Sequence, residues 1–261
     1  MYPDLLSIGF LHVKTYGCCM AIGFFAAWQV LSYLCRLIDR PFEPLGNLVV
    51  SLMVSGVIGS RIAYVIEHWQ AEFAARPMDI IRIDQGGLMF YGGFILSVLV
   101  FAGWCFWKKE RPLALGDLFC VVIPLGHAFG RVGCFFYGCC YGRLSGSALA
   151  VSFPRGSPAW HEQLSAGLIS STAQQSLPVL PTQLFEAAAN LALFAALFLF
   201  FRRFRRGTMA FYLIGYALIR FGMEVLRGDP RAAVGPFSIS QTISLVLLVA
   251  GVLLAYRESR R

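Results

Sequence analysis

The sequence predicts an all-α polytopic membrane protein, with about seven transmembrane helices and a small extracytoplasmic head. Three observations predict it. Apolar side chains make up 57% of the 261 residues and charged ones only 14%, where a soluble domain carries about a quarter. The apolar residues gather in seven runs, each near the roughly twenty residues that a helix needs to cross a bilayer. Lysine and arginine are dense in some of the intervening segments and sparse in others, as they are when a chain is threaded back and forth across a membrane.

Taken in order, residues 1–15 read as an interfacial arm. The first charge is Asp4, no basic stretch precedes an apolar core and no small-residue cleavage pattern follows, so a cleavable signal peptide is not expected. The seven runs are residues 16–34, 45–66, 88–107, 115–136, 184–201, 208–226 and 240–256. The third is led in by Gln85, Gly86 and Gly87. The seventh is short, so residues 236–239 are expected to lengthen it. No internal repeat suggests the paired halves of a transporter. One integral membrane domain over residues 1–261 is expected.

The basic residues orient the chain. Arg36 and Arg40, then Lys108, Lys109 and Arg111, then Arg202, Arg203, Arg205 and Arg206, then Arg257, Arg260 and Arg261 fall in short segments on one side. On the other side Lys14, Arg76, Arg82, Arg143, Arg155, Arg227 and Arg231 are spread over much longer ones. The dense side is expected to be cytoplasmic, with the N-terminus outside and the C-terminus inside. The net charge of +8 is therefore a topology signal, and no nucleic-acid partner is expected. Residues 67–87, broken by Pro77, form an outer arm segment. Residues 143–181, rich in Ser, Gly and Pro, are expected to form the irregular head, and loops of such length are commonly functional.

The stretch from Gly126 to Gly142 organises the rest. Glycines at 126, 130, 133, 138 and 142 surround His127, Arg131 and a run of aromatics. They let backbones approach and let the chain turn, so an unwound segment is expected. Arg131 has no carboxylate near it in sequence, and an intramembrane arginine points first to function. Arg61 and Arg220 also lie inside apolar runs, accompanied by the carboxylates Glu186 and Glu224. Arg220 and Glu224 are four residues apart and can pair on one helix face. The surplus of arginine toward the outer ends of the spans suggests a basic cavity suited to a phosphate, which the planar guanidinium binds through paired hydrogen bonds.

The eight cysteines are Cys18, Cys19, Cys35, Cys105, Cys120, Cys134, Cys139 and Cys140. Their scatter is not that of a secreted disulfide framework. The C-x4-C-C spacing of the last three matches no standard zinc or iron–sulfur pattern, so neither a metal nor a cofactor is expected. A disulfide within this group stays open if it faces an oxidising compartment. A redox role is the weaker reading, and small apolar packing residues the plainer one.

Several motifs, in order along nearly the whole chain, resemble those of the prolipoprotein diacylglyceryl transferase family. They are Tyr16-Gly17; Gly59-Ser60-Arg61-Ile62-Ala63-Tyr64; Gly86-Gly87-Leu88-Met89-Phe90-Tyr91-Gly92-Gly93; Gly130-Arg131-Val132-Gly133 closing at Gly142; Pro181-Thr182-Gln183-Leu184-Phe185-Glu186; and Arg220-x-x-x-Glu224-x-x-Arg227. The resemblance implies transfer of the diacylglyceryl group of phosphatidylglycerol to the lipobox cysteine thiol of a preprolipoprotein, with glycerol 1-phosphate leaving. The location it implies is the bacterial cytoplasmic membrane, with membrane lipid and the lipobox segment as partners. By resemblance Arg131 and Arg220 handle the phosphate, and Tyr16, Arg61, Glu186, Glu224, Arg227 and Gly142 shape the substrate site. Four positions depart from the family pattern. Tyr91 stands for its third-span histidine, Cys134 for an asparagine, Cys139 for a glutamate and Leu180 for a histidine. Proton transfer then falls to Tyr91 or to His127, which lies four residues before Arg131 and shares its face if the segment is helical. A branch using another acceptor, and a non-catalytic phospholipid-binding or transport protein, are the alternatives.

Overall fold

Among the described residues, seven helices of the computed structural model are long and apolar enough to cross a membrane. The structure describes residues 4–8, 11–82, 86–229 and 233–260. Gln85, Arg231, Arg261 and residues 1–3 and 9–10 of the N-terminal arm lie outside these. A hairpin of β1 (Asp4–Ile8) and β2 (Leu11–Lys14) leads into α1 (Thr15–Leu37). The other spans are α2 (Glu43–Glu67), α3 (Phe90–Lys108), α4 (Pro112–Tyr137), α6 (Thr182–Phe204), α7 (Thr208–Leu226) and α8 (Ile239–Ser259). A short α5 (Pro158–Ser165) lies between α4 and α6. Phe25, Ile66, Leu99 and Val246 remain at least 60% exposed on their helices, as lipid-facing side chains do.

The chain divides into two compact units, Met1–Leu31 with Gly116–Arg261, and Ser32–Leu115. In the second, α2 and α3 pack backbone against backbone. A side chain at Gly59 would run into the Gly92 carbonyl, and one at Gly92 into Gly59 and Ala63. Small residues give such close packing where lipid offers no hydrophobic drive. α3 starts at Phe90 rather than at Leu88. Gly86 and Gly87 adopt φ of 88° and 73°, and the amide of the extended Met89 donates to the Ser60 carbonyl at 3.0 Å. Arg40 and Glu110 form an ion pair within the same unit.

In the first unit, α7 is held between α6 and α8. Its N-terminus is capped from another helix. The buried Asp117 carboxylate of α4 accepts from the backbone amides of Gly207 and Met209 at 3.2 and 2.8 Å, satisfying donors that a helix start leaves open. α8 starts with a capping box between Ser238 and Gln241. The expected extension of this span over 236–239 is corrected to Ile239 alone, because Phe237 and Ser238 form β4, paired with β3 (Ala233–Val234).

The expected unwinding of residues 126–142 is also corrected. α4 remains helical to Tyr137, and the chain turns only at Gly138 and Cys140, with φ of 82° and 62°. The glycine at 133 serves packing instead: its missing side chain leaves room for Tyr16 and Cys19 of α1. The 143–181 segment packs a small core against the end of α4 and the turn after it: Phe153, Ala159 and Val179 meet Tyr141, with Phe135 and Val151 against them. Isolated bridges Leu144↔Val179, Val151↔Val179 and Pro154↔Gln175 hold it together.

Candidate active site

The last turns of α4 align His127, Arg131 and Cys134, at steps of four and three residues. α6 starts alongside with Gln183 and Glu186, both 2% exposed or less. Arg131 Nε is 3.0 Å from Glu186 Oε2 and donates to His127 Nε2 at 3.2 Å. His127 Nε2 is also 3.6 Å from Glu186 Oε1. One nitrogen cannot both accept from Arg131 and carry the proton of an ion pair. Arg131 Nε can only donate, so in that hydrogen bond Nε2 is the acceptor, while Glu186 Oε1 stays within ion-pair reach of the same nitrogen. Glu186 Oε1, although buried, has no hydrogen-bond partner among the described residues. The two Nη groups of Arg131 make no hydrogen bond among the described residues.

α7 supplies the second arginine. Arg220 Nη2 lies 2.8 Å from Glu224 Oε2 and donates to Ser240 Oγ of α8 at 2.8 Å. Its Nη1 is buried with no partner among the described residues. The cluster is electrostatically continuous: the charges of Arg131 and Arg220 act on His127, and those of Glu186, Arg220 and Arg131 act on the Tyr216 phenol. The rings of His127 and Tyr216 are 5.5 Å apart. A buried donor without a partner costs about 1–3 kcal/mol, and more on a charged group. Such a donor beside other unfilled guanidinium groups forms a seat for an anion.

The turn after α4 forms a third group. The carbonyls of Cys139 and Cys140 accept from Gln183 Nε2 at 2.7 Å and Thr182 Oγ1 at 2.9 Å. Although the C-x4-C-C spacing fits no standard metal pattern, the turn at Gly138 brings the Sγ atoms of Cys134, Cys139 and Cys140 within 4.8 Å of one another. Hydrogen bonds from Cys134 and then Cys139 hold Cys140 well below the usual thiol range against the effect of burial, with the charges of Arg227 and Arg131 adding to them. The Cys139 thiol is pushed up by its bonds to Cys134 and Cys140 and by burial. Arg227 closes a two-bond fork on Asp229, Nε to Oδ1 at 2.9 Å and Nη2 to Oδ2 at 2.8 Å. Burial opposes its charge, but the fork outweighs that and holds it above the usual arginine range.

The model of the family described as prolipoprotein diacylglyceryl transferase matches residues 3–257. The chain belongs to the prolipoprotein diacylglyceryl transferase family. A protein of Clostridium perfringens named phosphatidylglycerol–prolipoprotein diacylglyceryl transferase 2 is 33% identical, over 94% of this chain and 90% of the relative. Proteins named phosphatidylglycerol–prolipoprotein diacylglyceryl transferase from Pseudoalteromonas translucida and Burkholderia multivorans are 33% and 32% identical, over 98% and 99% of this chain and 94% and 95% of theirs.

The candidate site residues, those of the family motifs together with His127, fall into four settings. Arg131, His127, Glu186, Arg220 and Glu224 meet in the cluster above. Tyr16 lies in the first turn of α1, its phenol within electrostatic reach of Arg131 and of Cys134, Cys139 and Cys140. Arg227 and Gly142 hold the chain around the cluster, paired to one another by a β-bridge. A side chain at Gly142 would meet Thr182 and Leu180 within 2.9 Å, so glycine is what lets these segments close. Arg61 and Tyr91 belong to the Ser32–Leu115 unit. Tyr91 is in the first turn of α3 and 53% exposed. Arg61 donates from Nε to the Ile80 carbonyl, from Nη1 to those of Gly86 and Gly87 and from Nη2 to those of Asp79 and Arg82. That engages every N–H of the guanidinium, and the expectation that Arg61 binds substrate finds no support in it.

Sequence reasoning named Glu186 for the site but missed that it pairs with Arg131. Glu186 lies far along the chain, and only the packing of α6 on α4 pairs them. It also missed Tyr216 and Asp229, and it gave Gln183, a member of the quoted motif, no role of its own. The spacing of Tyr216, four residues before Arg220, was the one signal for it, since that step puts both on one face.

Proposed function

We propose that this chain, as one transferase domain over residues 1–261 in the bacterial cytoplasmic membrane, transfers the diacylglyceryl group of phosphatidylglycerol to the lipobox cysteine thiol of preprolipoproteins. The observation that carries this reading is the pair of incompletely engaged guanidinium groups, Arg131 Nη and the buried Arg220 Nη1, in a chain of this family.

The chemistry uses them in one direction. The acceptor sulfur attacks the terminal glyceryl carbon of the diacylglyceryl group, forming a C–S bond as the C–O bond to phosphate breaks. Glycerol 1-phosphate departs with the bonding electron pair. A phosphodiester with one negative charge becomes a monoester with more, so the two arginines bind the transition state more strongly than the substrate. The thiol must lose its proton, because the thiolate is the nucleophile. His127 accepts that proton at Nε2, and the imidazolium then turns from Arg131 toward Glu186 Oε1, 3.6 Å away. Tyr16, Glu224 and Arg227 shape the pocket. Tyr91, at the position of the family's histidine, is a second candidate for proton transfer on resemblance alone.

The basic residues support an orientation with the N-terminus outside and the C-terminus cytoplasmic. Reporter fusions after Arg206 and after Arg155 are expected on opposite sides, and the same side for both refutes that orientation. The reaction is tested with purified chain, labelled phosphatidylglycerol and a lipobox peptide. Label on the peptide cysteine in a thioether is the expected result. Phosphatidylglycerol binding without transfer, in protein that also fails to complement a strain depleted of its transferase, refutes the reading.

A further inference from the structure

Among the described residues, one group of at least three cysteine, histidine or acidic side chains meets closely enough to enclose an ion, and it is Cys134, Cys139 and Cys140. The transferase chemistry above uses none of them. Their sulfurs all lie within 4.8 Å of one another. Three thiolates bound at about 2.3 Å around one tetrahedral ion stand about 3.8 Å apart. Small rotations of the side chains suffice to close the difference.

The backbone that presents them is fixed. Cys134 is in the last turn of α4. Cys140 takes φ of 62°, a left-handed conformation that is uncommon for a residue with a side chain. The neighbouring carbonyls are pinned by Gln183 and Thr182, which are 0% and 2% exposed. The turn is therefore held in the one shape that returns Cys139 and Cys140 to Cys134. Charge agrees with shape. Three thiolates around a mono- or divalent ion leave net negative charge, and the Arg131 guanidinium acts on Cys134 and Cys140 and that of Arg227 on Cys140. The three cysteines are half-buried, none of them fully enclosed, and a tetrahedral ion held by three sulfurs has a fourth position for a further ligand.

We propose that Cys134, Cys139 and Cys140 bind a single thiophilic metal ion of the Zn(II) or Cu(I) kind. Soft thiolates select such ions over Mg(II) or Ca(II), and each thiol that binds releases its proton to solvent. The site stands on the three sulfurs and does not depend on the transfer reaction.

The full chain, purified in detergent, reduced and freed of reductant without air, is titrated with Zn(II) in one arm and Cu(I) in the other, each against a chromophoric chelator. One ion per chain is expected in at least one arm. In the same wild-type protein, metal is expected to protect Cys134, Cys139 and Cys140 from alkylation, mapped by mass spectrometry, while half-buried Cys18 reacts as before. The Cys134→Ser, Cys139→Ser, Cys140→Ser triple variant is expected to lose at least about 100-fold in affinity, and Cys18→Ser to lose nothing. No uptake of either ion by the reduced wild-type chain overturns the proposal. So does protection of other cysteines, a result that needs no variant to fold, and so does equal affinity in the triple variant.

Discussion

Arg61 and Arg131 are both arginines inside apolar helices, and their surroundings are opposite. Every N–H of Arg61 reaches a backbone carbonyl between Asp79 and Gly87. Arg131 engages Nε with Glu186 and His127 and leaves both Nη groups unbonded among the described residues. The first arrangement staples a loop; the second holds a charge ready for something that arrives. An arginine in an apolar helix is thus a question, and the count of its satisfied donors is the answer.

The sharpest test of that contrast is Arg131→Ala and Arg131→Lys. Each is expected to lower transfer per inserted molecule by about 100- to 1,000-fold, the usual effect of removing one charge-stabilising donor. Lysine fails because it is a point charge without the paired fork. Transfer at the parent rate by Arg131→Ala would break the comparison. His127→Phe comes next, with a loss of about 100-fold. Because a base works only when unprotonated, the acidic limb of the parent pH–rate profile is expected to vanish in this variant; an unchanged limb assigns the proton elsewhere, with Tyr91 the next position to substitute.

Arg61→Ala is expected to act on the other side of the comparison. It strips five carbonyls of their donor, so inserted yield and thermal midpoint fall, while the molecules that do insert transfer at close to the parent rate. Normal yield with lost transfer would move Arg61 into the catalytic group. The smallest effect belongs to Asp117→Ala. It removes the cap on α7 and costs about 1 kcal/mol, read as a lower unfolding midpoint. Since α7 carries Arg220, a fall in transfer beyond the loss of folded protein would show that the cap also positions that arginine.

Much of this was legible in the chain. Each of the seven apolar runs became a helix among the described residues, because a bilayer admits few other ways to satisfy a backbone. Arg220 and Glu224 were legible as a pair because a step of four residues faces both the same way, and the same step tied His127 to Arg131. The family motifs named Glu186 as part of the site.

Tertiary structure decided the rest. Arg131 lacks a carboxylate in its own segment and receives Glu186 from another helix, a pairing that no local period encodes. The glycines of residues 126–137 looked like a place to unwind, and packing against α1 kept the helix intact, because a small residue serves a close contact as readily as a turn. The C-x4-C-C spacing resembled no metal motif, yet two left-handed residues, Gly138 and Cys140, folded it into one sulfur cluster. The sequence sets periods and charges along a line. Which distant side chain fills an open donor depends on how the helices pack, and that is a property of the whole fold.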